Sequence, residues 1–172
     1  VLLSDEICVL ENLPDIEDVR VLVDILRSIG AVVEYDGKAR RMTIDPRPVE
    51  GFQIGYRDSQ RLRASYYLLG ALLGRKGEAT VAMPGGCDFG VRPIDQHIKG
   101  FTAMGASVSI EGGYITTRAQ NGRMKGANVY LDVVSVGATM NIMMAAVLAD
   151  GYTVIENAAR EPHIVDLANF LN

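Results

Sequence analysis

The chain repeats itself, and a repeat of this grain dictates most of what it can fold into. Residues 18–34 read as a helix that ends at Gly30 and runs into a strand, and residues 93–109 read the same way through Gly105. In the first copy Val19, Leu22, Val23, Leu26 and Ile29 recur at spacings of three and four, as on a helix with one apolar face. Ile94, Ile98, Phe101 and Met104 keep that pattern in the second copy. Each glycine supplies the left-handed residue that closes a helix. A third copy opens over residues 164–171.

A further helix and strand lead into the later copies: 63–73 with 78–82 before the second, and 135–148 with 151–156 before the third. Only Val1-Leu2-Leu3 stands before the first, so both ends are expected to cut through a repeat of a longer protein. The units are too long for a solenoid, whose periods run about 20–50 residues. Strands are predicted over 31–35, 41–44, 107–111, 114–118 and 128–131, with Gly37 and Gly112-Gly113 as hairpin turns. Pro46-Arg47-Pro48 and Asn121-Gly122 mark connections within a domain. The expected architecture is a single domain over 1–172, α/β in class, with helices inside and sheets outside.

Composition narrows the function. A net charge of −4 without a basic run argues against a nucleic-acid surface. The longest apolar stretch, around 140–148, is about half of what a membrane span needs, and no signal segment opens the chain. A cytoplasmic protein is expected. Two cysteines make neither a disulfide framework nor a metal site. Cys8, in a strand-like run, reads as a small core hydrophobe.

Cys87 reads differently. Gly85, Gly86 and Gly90 surround it, so the thiol rides on a loop free of bulk, and Arg92, Asp95 and His97 follow within one helix start. Arg92 and the helix start would favour the thiolate. Taken singly, the neighbours have plainer readings. Arg92 suits a solvated cap partner, Pro93 a first helical residue, Arg63 an exposed helix position and Ser135 an ordinary N-cap. Asn157 and Glu161, beside Arg160 and His163, read as turn and capping groups for the last helix.

Three runs together resemble a known family. Pro84-Gly85-Gly86-Cys87, with Gly90 and Arg92-Pro93-Ile94-Asp95 and His97 following, then Ser135-Val136-Gly137-Ala138-Thr139, then Ile155-Glu156-Asn157-Ala158-Ala159-Arg160-Glu161-Pro162, are similar to the UDP-N-acetylglucosamine enolpyruvyl transferases. The resemblance implies a truncated, barrel-like inside-out α/β domain of repeated units with pseudo-threefold symmetry. It faces a second domain across an active-site cleft. The implied reaction moves enolpyruvate from phosphoenolpyruvate to the 3-hydroxyl of UDP-N-acetylglucosamine, releasing phosphate, in the first committed step of bacterial peptidoglycan synthesis. The implied substrates are these two small molecules, and no cofactor or metal is implied.

By the same resemblance Cys87 is the catalytic group, delivering a proton to the methylene carbon or adding to phosphoenolpyruvate. Arg92 contacts the phosphate. Arg63 and Ser65 lie at the substrate cleft. Pro93, Ile94, Asp95 and Gln96 cradle the uracil and sugar, with His97 beside them. Val133, Val134, Ser135, Val136 and Gly137 hold the diphosphate. Some members carry lysine where this chain has Val133, so only backbone contact is expected there. Residues from before Val1 and from the opposite domain would complete the site, so the piece alone is expected to be inactive. A shikimate-pathway enolpyruvyl transferase is disfavoured by Cys87. A non-catalytic nucleotide-sugar-binding module of the same fold is the remaining alternative.

Overall fold

The computed structural model describes residues 1–83 and 94–172, apart from the side chain of Arg63. Strand β1 (Cys8–Leu10) leads into α1 (Glu17–Ser28) and the hairpin β2 (Val32–Asp36) and β3 (Arg41–Asp45). Next come β4 (Gln53–Ile54), α2 (Tyr56–Arg61), a 3-10 turn (Arg63–Tyr67), α3 (Leu68–Lys76) and β5 (Glu78–Ala82). The chain continues through α4 (Asp95–Ala103), β6 (Ala106–Glu111), β7 (Tyr114–Ala119) and β8 (Asn128–Tyr130). It ends with α5 (Val136–Ala146), β9 (Val154–Glu156) and α6 (Pro162–Leu171).

Sheet order exposes the repeat. One sheet runs β1-β3-β2 and another β4-β5-β7-β6, so β1-α1-β2-β3 and β5-α4-β6-β7 share one topology. In both, the last strand pairs antiparallel with the first. The leading half recurs too, because β4 pairs parallel with β5 across α3 as β8 pairs parallel with β9 across α5. The glycine grammar holds at both predicted caps, with φ of +103° at Gly30 and +88° at Gly105. Gly112 and Gly113 are both left-handed and set the register Glu111 opposite Tyr114.

The core lies between helices. Helix α3 packs on α5, and Leu69, Leu72 and Leu73 of the one and Ala138, Ile142 and Ala145 of the other are all sealed from water. The helices touch through glycine, since a Cβ on Gly70 would fall 2.2 Å from the Asn141 carbonyl oxygen. Asn141 is fully buried; its Oδ1 accepts from the Gly70 amide at 2.8 Å, and its Nδ2 donates to the Gly137 carbonyl at 3.1 Å. A buried amide with both ends occupied fixes the register of α3 on α5. The sheets lie outside, with Val33, Met42, Ile44, Val81 and Ile115 turned inward. Among the described residues the sheets are open and no closed barrel forms.

Several local expectations are corrected. Cys8 is half-buried on an edge strand, its Sγ 3.6 Å from the Glu6 carbonyl, because β1 lies at the end of its sheet. Gly37 does open the first hairpin turn, within which the left-handed residue is Arg40, φ +53°. The helix expected over 63–73 opens as a 3-10 turn before α3 begins at Leu68. The strand expected from 151 begins at Val154.

Candidate functional site

Helices α4 and α5 begin side by side, and the turn before α3 meets both. Ser135 caps α5, its Oγ accepting from the Ala138 amide at 3.3 Å, and its carbonyl accepts from Thr139 Oγ1 at 2.8 Å. That leaves a helix start whose amides and dipole suit an anion. Ile94 caps α4 through its backbone, its carbonyl accepting from the His97 and Ile98 amides at 2.9 and 3.0 Å. Asp95 sits exposed in the first turn.

His97 is where the segments join. It is only 3% exposed, and its Nε2 lies 2.7 Å from the hydroxyl of Tyr66 in the 3-10 turn, the ring centroids 4.7 Å apart. A Cβ on Gly137 would stand 3.3 Å from that Nε2, so the bare first turn of α5 lets the ring pack on it. Burial pushes the imidazole down to about 4, against the opposing pull of the ring's hydrogen bonding to the backbone carbonyls of Gly137 and Ile94. At neutral pH it is uncharged.

The solvent side of the same junction is polar. Gln96 Oε1 accepts from the Asp132 amide at 2.8 Å, its Nε2 reaches the Asp132 carboxylate at 3.4 Å, and Lys99 Nζ closes on Asp132 at 2.6 Å. Hydrogen bonds from Lys99 and then Gln96 hold that carboxyl below the usual range. Lys99 also lies 5.7 Å from the Tyr130 ring centroid. The strand end before α5 is thereby tied to α4.

Val133 and Val134 are more than half exposed, so this stretch offers an apolar wall and backbone. Val134, Asn157, Ala158, Arg160 and Glu161 line an open depression of about 430 Å³. Asn157 behaves as the predicted turn residue: left-handed at φ +54°, its Nδ2 donates to the Leu131 carbonyl at 2.9 Å. Glu161 occupies the N-cap of α6, but its side chain makes no capping bond. Among the described residues no group of three or more His, Cys, Asp or Glu is placed to hold a metal.

Of the residues marked by sequence, Ser65, Ile94, Asp95, Gln96, His97, Ser135, Val136 and Gly137 gather at this junction of three segments. Ser65 is fully buried, and its Oγ has no hydrogen-bond partner among the described residues. Cys87, Arg92 and Pro93 lie outside the described residues, as does the Arg63 side chain. Sequence reasoning passed over Tyr66, Asn141, Lys99 and Asp132. The one available signal was the adjacency of Tyr66 to Ser65.

Comparison with solved structures defines the class. The fold is that of the enolpyruvyl transferases: NikO from Streptomyces tendae aligns with a TM-score of 0.83 at 22% identity, over 99% of this chain and 39% of that one. EPSP synthase from Acinetobacter baumannii aligns at 0.65 and 19% identity, over 94% of this chain and 37% of that one. The family model for EPSP synthase (3-phosphoshikimate 1-carboxyvinyltransferase) matches residues 1–172, and the chain belongs to that family.

Within it, the chain is 53% identical over 171 residues to UDP-N-acetylglucosamine 1-carboxyvinyltransferase 3 of Caldanaerobacter subterraneus, covering 99% of this chain and 40% of the relative. It is 52% identical over 173 residues to the UDP-N-acetylglucosamine 1-carboxyvinyltransferase of Streptococcus pneumoniae, covering 100% and 41%. The chain thus spans about 40% of the length of these relatives.

Proposed function

We propose that this chain is the thiol-bearing, nucleotide-sugar-holding part of an enzyme that transfers enolpyruvate from phosphoenolpyruvate to the 3-hydroxyl of UDP-N-acetylglucosamine. The observation that carries the reading is the contact of His97 with Tyr66 and Gly137, which joins three separate segments that the sequence marks for substrate. Identity above 50% to relatives named for this sugar nucleotide favours it over shikimate chemistry, whose solved enzyme is 19% identical.

In this reading the 3-hydroxyl gives its proton to a base of the opposite domain and its oxygen bonds to C2 of phosphoenolpyruvate while Cys87 gives a proton to C3. Loss of a proton from C3 and of phosphate from C2 then restores the double bond. A positioned acid is worth about 10²–10⁴ in rate. Arg92 and Arg63 supply charge to the phosphate and substrate, and a guanidinium fork suits an anion. The α5 start, from Val133 to Gly137, faces the diphosphate with backbone amides, while Pro93, Ile94, Asp95 and Gln96 hold uracil and sugar. Ser65 is buried in the 3-10 turn that meets the same junction.

Residues 1–172 then form most of one of two domains, and the other supplies the opposite wall. The reading places the enzyme in the bacterial cytoplasm, at the first committed step of peptidoglycan synthesis. The test is phosphate release from phosphoenolpyruvate dependent on UDP-N-acetylglucosamine, measured on the longer protein and on its Cys87→Ala variant. Activity is expected in the first and a loss of about 10²-fold or more in the second. Full activity in the variant would remove the thiol from the mechanism.

A further inference from the structure

The start of α4 is held to the start of α5 by two clamps of different quality. The outer one, Gln96 and Lys99 on Asp132, is solvent-exposed, and such contacts contribute little. The inner one is Tyr66 hydroxyl to His97 Nε2 at 2.7 Å, on a ring that is 3% exposed and seated on Gly137. A hydrogen bond away from water is stronger and more directional, and it fixes which ring nitrogen carries the proton. Nothing else among the described residues gives the 3-10 turn a side-chain hydrogen bond to α4.

We propose that Tyr66 is a positioning residue for nucleotide-sugar binding: its hydroxyl donates to His97 Nε2, locks the imidazole in the Nδ1–H tautomer and so fixes the α4 start against the first turn of α5. The proposal rests on the reading that this wall holds UDP-N-acetylglucosamine. It assigns Tyr66 no contact with the substrate. Tyr66→Phe keeps the ring and its packing and removes only the hydroxyl, which separates positioning from bulk.

The chain has only two histidines, His97 and His163, so ring-nitrogen NMR of the 172-residue protein resolves His97 with His163 as an internal control. In the unaltered chain at pH 7, a single His97 tautomer with an unprotonated Nε2 is expected. Tyr66→Phe should mix the tautomers, leave His163 unmoved and weaken UDP-N-acetylglucosamine binding about two- to tenfold, the worth of one hydrogen bond. His97→Gln, which still accepts from Tyr66, should recover more affinity than His97→Phe.

An unchanged tautomer in Tyr66→Phe overturns the proposal, as does an unchanged affinity in a chain that binds. A shifted tautomer together with no binding of UDP-N-acetylglucosamine by the longer protein would refute the nucleotide-holding reading and, with it, the positioning role given to Tyr66. The hydrogen bond itself would stand.

Discussion

Gly70→Ala tests whether the two central helices meet backbone to backbone. Alanine is the better helix former by about 0.8–1.0 kcal/mol, so propensity alone expects a more stable protein. The geometry expects the reverse. A Cβ at residue 70 would lie 2.2 Å from the Asn141 carbonyl oxygen and 2.9 Å from its Cα, whereas ordinary contact begins at 3.4 Å. The obstruction is backbone, so no side chain can turn away, and α3 must move off α5 by roughly 1 Å.

Overpacking of this kind costs about 1–3 kcal/mol. The same movement stretches the 2.8 Å bond from the Gly70 amide to Asn141 Oδ1, and a buried polar pair left unmade costs about 1–3 kcal/mol more. Set against the propensity gain, the net loss is about 3 kcal/mol. For a chain of this size that lowers Tm by about 6–12 °C. Thermal unfolding followed by far-ultraviolet circular dichroism measures it. A Tm that is unchanged or raised would refute the close crossing of α3 on α5 and the packing argument built on it.

Two further outcomes follow from the site. His97 titrates at about 4 when folded against 6.5 ordinarily, so below pH 6.5 the unfolded chain takes up its proton first. Its contribution is therefore present above about pH 6.5 and is lost as pH falls toward 4. Urea midpoints measured across that window should fall in the unaltered chain and flatten in His97→Gln; parallel profiles would show that His97 is not buried neutral. An epoxide phosphonate such as fosfomycin should alkylate Cys87 in preference to Cys8, read by peptide mass spectrometry. Equal labelling of both thiols would count against an activated Cys87.

Legibility followed the range of the physics. The caps at Gly30 and Gly105 and the Gly112-Gly113 hairpin were readable because each is a local backbone demand that glycine meets most easily. Helix α2 was not, since Tyr56–Arg61 is polar and buries only Ser59, leaving no apolar period to detect. Asn141 looks like a surface residue within a helix until α3 crosses it. Tyr66 gains its meaning only from a ring 31 positions away. Cys8 was misplaced because a strand-like run does not say whether its strand lies at the edge.

The repeat also sets the segment around Cys87 beside two counterparts in the neighbouring units. Each unit has one corner where the outer strand turns into the following helix. In the first, residues 11–16 make it with a left-handed Asn12 at φ +61°; in the third, residues 157–161 do so with a left-handed Asn157 at φ +54°. A Glu-Asn pair stands at both turns, Glu11-Asn12 and Glu156-Asn157, so one tight solution has been used twice. Between β5, which ends at Ala82, and α4, which begins at Asp95, the sequence has about twice as many residues as the first corner, and Met83-Pro84-Gly85 stands where the other two have Glu-Asn. The near end of this connection is tied as the first corner is, to the adjoining hairpin turn: Met83 donates to the Gly113 carbonyl at 2.7 Å, and Leu13 to that of Arg40 at 3.0 Å. Its far end enters α4 beside His97. Lengthening a connection adds little closure entropy, only about 0.6 kcal/mol per doubling, so the added residues between β5 and α4 cost the frame at either end little. Shortening residues 84–91 toward the length of the first corner should therefore leave Tm within a few degrees while abolishing activity of the longer enzyme. Global unfolding of the shortened chain would mean that the loop belongs to the core, and the separation of frame from chemistry would fail.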